Sequence, residues 1–227
     1  MKHFYLYILL LSFIILSVSF FTHYYKYYIL REPFGNKKTL KTYILLGDSI
    51  IKNNSYVKNG KGIDDILNET ANGKVICYAK DDSTVVDIYS QLDSISSDLN
   101  KSSTTIFLSV GGNDILNKYA DKDVSVKDTK VLDPIFNAYK ILIKSIQTKM
   151  NDSKLILLDI YYPTNIKFTQ YKPILEEWNK LINDFASENN LQVINISNIL
   201  IESTDFTLNI EPSETGGEKI ANNILMY

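Results

Sequence analysis

Short apolar runs alternate with amphipathic segments along the chain from residue 42 to its end. Five runs are almost continuously apolar, which is typical of parallel strands covered on both faces. They lie at residues 42–46, 74–78, 104–110, 154–160 and 191–196. Between some of these runs, apolar residues recur at intervals of three and four, which predicts helices with one buried face. The predicted helices cover residues 85–99, 135–146 and 174–185, and a last one follows Pro212 and Ser213.

This alternation predicts an α/β fold, in the form of a three-layer α/β/α sandwich with a five-stranded parallel sheet. Ligands of such sheets bind outside the carboxyl ends of the strands. Residues that bind or react with a ligand are therefore expected in the segments that follow residues 46, 78, 110, 160 and 196.

The N-terminal part of the chain has a different pattern, because residues 4–21 form one apolar run without a charge. A helix of that length, at ~1.5 Å per residue, spans most of a ~30 Å hydrocarbon core. We therefore predict a single-pass membrane anchor in residues 1–24, a linker in residues 25–41 and one globular domain in residues 42–227. The alternative is a secretory signal segment that is cleaved near residues 17–19, which would release the domain.

The orientation of such an anchor stays open. Basic residues are more numerous after the apolar run than before it, which favours a cytoplasmic domain. Five Asn-x-Ser/Thr sequons favour the opposite side of the membrane.

The composition of the domain argues against several kinds of partner and site. The chain has 227 residues, of which 45% are hydrophobic and 22% charged, as in ordinary globular proteins. Residues 42–227 hold 18 basic and 25 acidic side chains, and this net negative charge argues against a nucleic-acid partner. The only two histidines, His3 and His23, lie outside the domain, and Cys77 is the only cysteine. We therefore predict no metal site and no cofactor.

Two motifs stand at predicted strand ends. Gly47-Asp48-Ser49 follows the first strand, and a Gly-Gly-Asn-Asp sequence that contains Asn113 follows the third. A serine on a tight turn, opposite an asparagine from a neighbouring strand, suits acyl transfer. The hydroxyl is then the nucleophile, and the amide and backbone N–H groups stabilise the oxyanion. The alternative is that both motifs only form turns.

With these motifs, residues 42–227 resemble the SGNH (GDSL-type) hydrolase family, whose flavodoxin-like α/β/α members are esterases, lipases and deacetylases. The resemblance implies that Ser49 is the nucleophile and that Asn113 is an oxyanion donor. A second family block is similar to residues 79–84, where Asp82 occupies the position of a glycine. The resemblance implies that the backbone N–H of Asp82 is a further oxyanion donor.

The last family block, Asp-x-x-His before the final helix, differs in this chain. Glu211 stands in the position of the histidine, and Leu208 stands in that of the aspartate. A carboxylate can accept the serine proton, although its ordinary pKa of ~4.3 makes it a weaker base than histidine. Burial and neighbouring carboxylates would raise that pKa. The alternative role of Glu211 is that of a surface carboxylate near the positive end of the last helix dipole.

Two functional hypotheses follow from the sequence. The first is a serine esterase or deacylase that is held at the membrane by its N-terminal helix and acts on a small-molecule or glycan ester. The second is a catalytically inactive protein of the same fold that binds a glycan or an acylated ligand at the membrane. A nucleotide-binding role is not favoured, because no glycine-rich phosphate loop follows the first strand.

Overall fold

The computed structural model describes residues 2–25, 40–119, 125 and 128–227. The chain divides into two compact units, residues 1–39 and residues 40–227. The helix predicted at the N-terminus is present as α1 (Lys2–Tyr24). Within the described part of the chain, no helix combines the length and the hydropathy that a bilayer span requires. The anchor and the cleaved signal segment both stay predictions, and most of the predicted linker lies outside the described residues.

The second unit is built on a five-stranded sheet whose neighbouring strands are all parallel, in the order β2-β1-β3-β4-β5. The strands are β1 (Lys41–Gly47), β2 (Gly73–Cys77), β3 (Thr104–Ser109), β4 (Lys154–Leu158) and β5 (Gln192–Ile194). This strand order is that of flavodoxin-like folds. The predicted sheet is therefore confirmed, with small differences at the strand ends.

Helices cover the sheet and complete the predicted α/β/α architecture. They are α2 (Ile63–Thr70), α3 (Ile88–Asp93), α4 (Gly112–Tyr119), α5 (Leu132–Lys149), α6 (Lys172–Glu188) and α7 (Glu214–Ile224). The helices α2 and α4 were not predicted from the sequence. The last predicted helix is confirmed as α7, and Ser213 caps it by accepting a hydrogen bond from the Gly216 N–H.

The predicted helix over residues 85–99 is wrong in length, because α3 covers only its middle. Both the N–H and the hydroxyl of Thr84 donate to the Asp87 carboxylate, which holds residues 84–87 in a turn instead of a helix. The apolar residues of the pattern are nevertheless buried, as the exposed fractions of Val85 (1%) and Ile95 (3%) illustrate. The periodicity thus identified the buried face correctly and overestimated the helix.

A short hairpin that the sequence did not predict precedes α7. Its antiparallel strands are β6 (Phe206–Thr207) and β7 (Glu211–Pro212). Three residues, Leu208, Asn209 and Ile210, lie between them. Leu208 and Asn209 have positive φ, 47° and 77°, and the Ile210 N–H donates to the Thr207 carbonyl oxygen at 3.2 Å, as in a type I′ turn. This hairpin fixes the position of Glu211.

The carboxyl ends of β1 and β3 approach closely at the point where the strand order reverses. Gly47 lies opposite Ser109 with a φ of +152°. A Cβ atom on Gly47 would lie 2.3 Å from the Ser109 carbonyl oxygen. Only glycine permits this approach, which determines where the chain leaves β1.

We expect Gly47→Ala to destabilise the domain by roughly 2–5 kcal/mol, because the new methyl group meets a backbone carbonyl that cannot move aside. Gly60→Ala is the matched control, since Gly60 also has a positive φ (67°) but nothing within 4 Å of a Cβ. Its expected cost is about 1 kcal/mol. Urea denaturation of both variants measures the difference. Equal losses would contradict the steric explanation.

Candidate active site

Ser49 lies on a tight turn directly after β1. The Asp48 carbonyl oxygen accepts hydrogen bonds from the N–H groups of Ile51 and Lys52, at 3.1 and 2.9 Å. The Asp48 carboxylate accepts a third from the Ile50 N–H at 3.0 Å. These bonds fix the turn, so the position of Ser49 is determined by backbone that is already held in place.

A buried amide clamps the end of β1. Gln91, which is 1% exposed, accepts a hydrogen bond from the Gly47 N–H and donates one to the Gly47 carbonyl oxygen, at 2.9 and 2.8 Å. Its Nε2 lies 3.1 Å from the Ser83 hydroxyl. Gln91 therefore links the turn that carries Ser49 to the segment after β2. Gln91 was not predicted as a site residue, although its spacing of three from Ile88 places a polar side chain on an apolar helix face.

Two neighbouring side chains at the start of α4 hold the same segment. The Asn113 side-chain amide donates to the Ser83 carbonyl oxygen at 3.0 Å. The Asp114 carboxylate accepts from the Val85 N–H at 3.0 Å. Because a primary amide carries two hydrogens, Asn113 keeps one for a ligand.

The predicted residues Ser49, Asn113 and Glu211 line one pocket together with Asp48. The pocket has a volume of about 540 Å³, including its open mouth. The rest of its wall is almost entirely apolar. It consists of Ile50, Ile115, Leu116, Ile160, Tyr161, Pro163, Phe168, Tyr171, Leu175 and Ile210, with Gly112 between them.

Glu211 is half-buried on β7, and its carboxylate interacts with the Ser49 side chain. Burial raises the pKa of Glu211 above its ordinary value, the Ser49 hydroxyl opposes that rise, and the negative charges of Asp81 and Asp82 add to it. The Oε2 atom of Glu211 is buried without a hydrogen-bond partner. Glu211 is therefore a carboxylate with an unused acceptor beside a serine hydroxyl.

The structure does not bring Asp82 and Leu208 to the pocket wall. Asp82 is exposed with a φ of 57°, a conformation that suits the glycine found there in the family pattern. Its N–H, the predicted oxyanion donor, donates to the Asp81 carboxylate at 2.9 Å. Leu208 is 65% exposed at the hairpin turn. An aspartate at position 208 would therefore have its side chain on the exposed turn and not in the pocket wall.

Asp48 is the most deeply buried carboxyl group of the pocket, with 1% of its surface exposed. Burial raises the pKa of Asp48 to about 8, the hydrogen bond from Ile50 opposes the rise, and the charges of Glu211 and Asp114 add to it. Asp48 is therefore protonated at neutral pH. This keeps one negative charge out of the pocket.

Metal-binding side chains do not cluster in the residues that the structure describes. No group of three or more histidine, cysteine, aspartate or glutamate side chains there could hold a metal ion. Cys77 is half-buried at the end of β2, and burial raises the pKa of its thiol to about 11.

The model of the GDSL-like lipase/acylhydrolase family matches residues 45–216. The chain belongs to this family. The matched range contains Ser49, Asn113 and Glu211, and the family's activity is the hydrolysis of carboxylic esters. No curated protein matches the chain.

Solved structures of GDSL proteins share the fold of this chain. A member of the lipolytic G-D-S-L family from Veillonella parvula is 23% identical and has a TM-score of 0.61, covering 82% of this chain and 97% of that chain. Phospholipase A1 from Streptomyces albidoflavus is 15% identical, with a TM-score of 0.56 and coverage of 81% and 98%. A catalytic mutant of an acetylxylan esterase from Geobacillus stearothermophilus is 14% identical, with a TM-score of 0.59 and coverage of 82% and 93%.

We expect Asp48→Asn to stabilise the domain increasingly as the pH rises from 4 to 8. In the unfolded chain Asp48 loses its proton near pH ~3.9, whereas in the folded chain it keeps it up to about pH 8. The folded state therefore binds the extra proton in this window, and wild-type stability falls with rising pH. Asparagine retains the acceptor for Ile50 and cannot ionise.

Urea denaturation at several pH values measures the difference in unfolding free energy between this variant and the wild type. Asp98→Asn serves as the control, because Asp98 is exposed and its pKa is lowered rather than raised. Its difference from the wild type should not rise with pH. A flat difference for Asp48→Asn would mean that Asp48 ionises normally.

Proposed function

We propose that the chain is a serine-dependent carboxylic ester hydrolase with Ser49 as nucleophile and Glu211 as general base. The observation that carries the proposal is the Ser49–Glu211 contact inside a pocket, with the buried Glu211 Oε2 atom still unpartnered. Family membership supplies the class of reaction. Glu211 then performs the proton transfer that the family pattern assigns to a histidine at the same position.

The proton follows a closed path in this mechanism. As the Ser49 oxygen attacks the ester carbonyl carbon, its proton passes to the Glu211 carboxylate. Glu211 returns the proton to the leaving alkoxide when the carbon–oxygen bond breaks, which leaves an acyl group on Ser49. A water molecule then gives a proton to Glu211 and attacks the acyl group, and the released serine oxygen recovers the proton. The raised pKa of Glu211 favours both transfers, because it brings the base closer to neutral pH.

The oxyanion would be stabilised by the second amide hydrogen of Asn113 and by the Ser49 N–H. The Asp82 N–H can join them only after it leaves the Asp81 carboxylate. A protonated Asp48 is favourable here, because an ionised carboxylate beside the nucleophile would repel the developing negative charge.

We expect a fluorophosphonate probe to label the wild-type protein at Ser49, and Ser49→Ala to abolish the labelling. Glu211→Gln should slow labelling and ester hydrolysis by about 10²–10⁴-fold, because the proton acceptor is lost. A general base works only when ionised, so kcat/KM should fall as the pH drops through the raised pKa of Glu211. The acid limb of the profile should lie above the ordinary pKa of a glutamate.

Glu214→Gln is the matched control, since Glu214 is an exposed carboxylate on the same segment. Labelling and pH profile should both be unchanged in this variant. Absence of labelling throughout pH 4–8 would sink the proposal and favour the second candidate, a catalytically inactive binder of a glycan or acylated ligand. The engagement of the Asp82 N–H by Asp81 supports that candidate.

The proposed location is the membrane, through residues 1–24. The expected result is that the full chain stays in the membrane fraction after alkaline carbonate extraction and keeps its first residues on N-terminal sequencing. Cleavage near residues 17–19 with release of the domain would support the signal segment instead. Recovery of the intact chain in the soluble fraction would contradict both.

A further inference from the structure

We infer that the pocket selects esters whose acyl chain is several carbons longer than acetyl. The inference rests on the proposed function and adds the substrate class. Two features support it: the elements that supply the pocket wall, and the position of that wall relative to Ser49 and Asn113.

The apolar wall is built from three parts of the fold. Ile115 and Leu116 come from α4, directly after Asn113, and Leu175 comes from the first turn of α6. Residues 160–171, which connect β4 to α6, supply the remainder of this side. The wall therefore begins beside the amide that would receive the carbonyl oxygen.

Polar residues that do not belong to the apolar wall act on Glu211. The carboxylates of Asp81 and Asp82 are exposed and act electrostatically on Glu211, and the Tyr56 hydroxyl donates to Asp81. In the proposed mechanism Glu211 gives a proton to the leaving alkoxide, so the alcohol part of the ester lies on its side. The acyl part consequently lies along the apolar wall.

The wall combines rigid and accessible side chains. Ile115 and Leu175 are 1% and 7% exposed, so they form a fixed floor. Leu116, Phe168 and Tyr171 are only partly buried and remain available for contact with a ligand. An acetyl group has one methyl to offer such a surface, whereas a longer chain displaces water from it.

Each methylene that moves from water to this wall should raise kcat/KM up to about fourfold, the equivalent of ~0.8 kcal/mol. The gain should stop once the chain outgrows the pocket.

The test measures kcat/KM for p-nitrophenyl esters from acetate to dodecanoate with the full-length protein. The expected profile rises steeply from acetate and then levels off. Leu116→Phe should lower the octanoate-to-acetate ratio at least tenfold, because the larger ring fills the pocket. Ile201→Phe is the matched control, since Ile201 is 61% exposed and lies outside the pocket wall, and it should leave the ratio unchanged.

Two further measurements distinguish the possible outcomes. If kcat/KM rises with the alcohol chain of acetate esters instead, the wall binds the alcohol and the inference is overturned. A flat profile or a preference for acetate also overturns it, while the proposed hydrolase function stands. Binding of methyl alkyl ketones of increasing length tests the wall without turnover. Tighter binding with length but no hydrolysis would refute the proposed function alone, and length-independent binding would refute the inference.

Discussion

The approach of β1 to β3 at their carboxyl ends is the constraint on which the candidate site depends. Gly47 lets the two strands approach more closely than a Cβ would allow. The Gln91 side chain forms hydrogen bonds with both the N–H and the carbonyl oxygen of Gly47. Because Gln91 also contacts Ser83, the same contact aligns the segment that receives Asn113. Ser49 and the Asn113 amide therefore occupy fixed positions, as electrostatic preorganisation would require of the proposed nucleophile and oxyanion donor.

Carboxyl groups, rather than an imidazole, determine the electrostatics of this pocket. Two of them have raised pKa values for the same first reason, which is burial, but to different extents. Asp48 is almost completely buried and remains neutral. Glu211 is only half-buried and interacts with the Ser49 side chain and with the charges of Asp81 and Asp82. Different environments thus assign different protonation states to chemically similar groups, as in other sites that separate acid from base.

Much of the fold was readable from the sequence, because strands that are buried on both faces must be continuously apolar. The strand-end motifs with Ser49 and Asn113 were readable too, since the fold places such ends together. The short α3, the Gln91 clamp and the β6–β7 hairpin were not. Each depends on side chains that bond to distant or competing backbone groups, and hydrophobic periodicity carries no information about those bonds. Asp82 shows the same limit, because the engagement of its N–H by Asp81 is visible only in three dimensions.

The turn of the hairpin has a consequence for how the pocket is supported. Leu208 occupies a left-handed conformation that favours glycine or asparagine, and its side chain faces solvent. The hairpin that carries Glu211 is therefore held by a turn with an intrinsic conformational cost, whereas Ser49 is held by buried backbone. The unfavourable φ of Leu208 belongs to the turn and not to the pocket wall, so the hairpin positions Glu211 without a contribution from the Leu208 side chain.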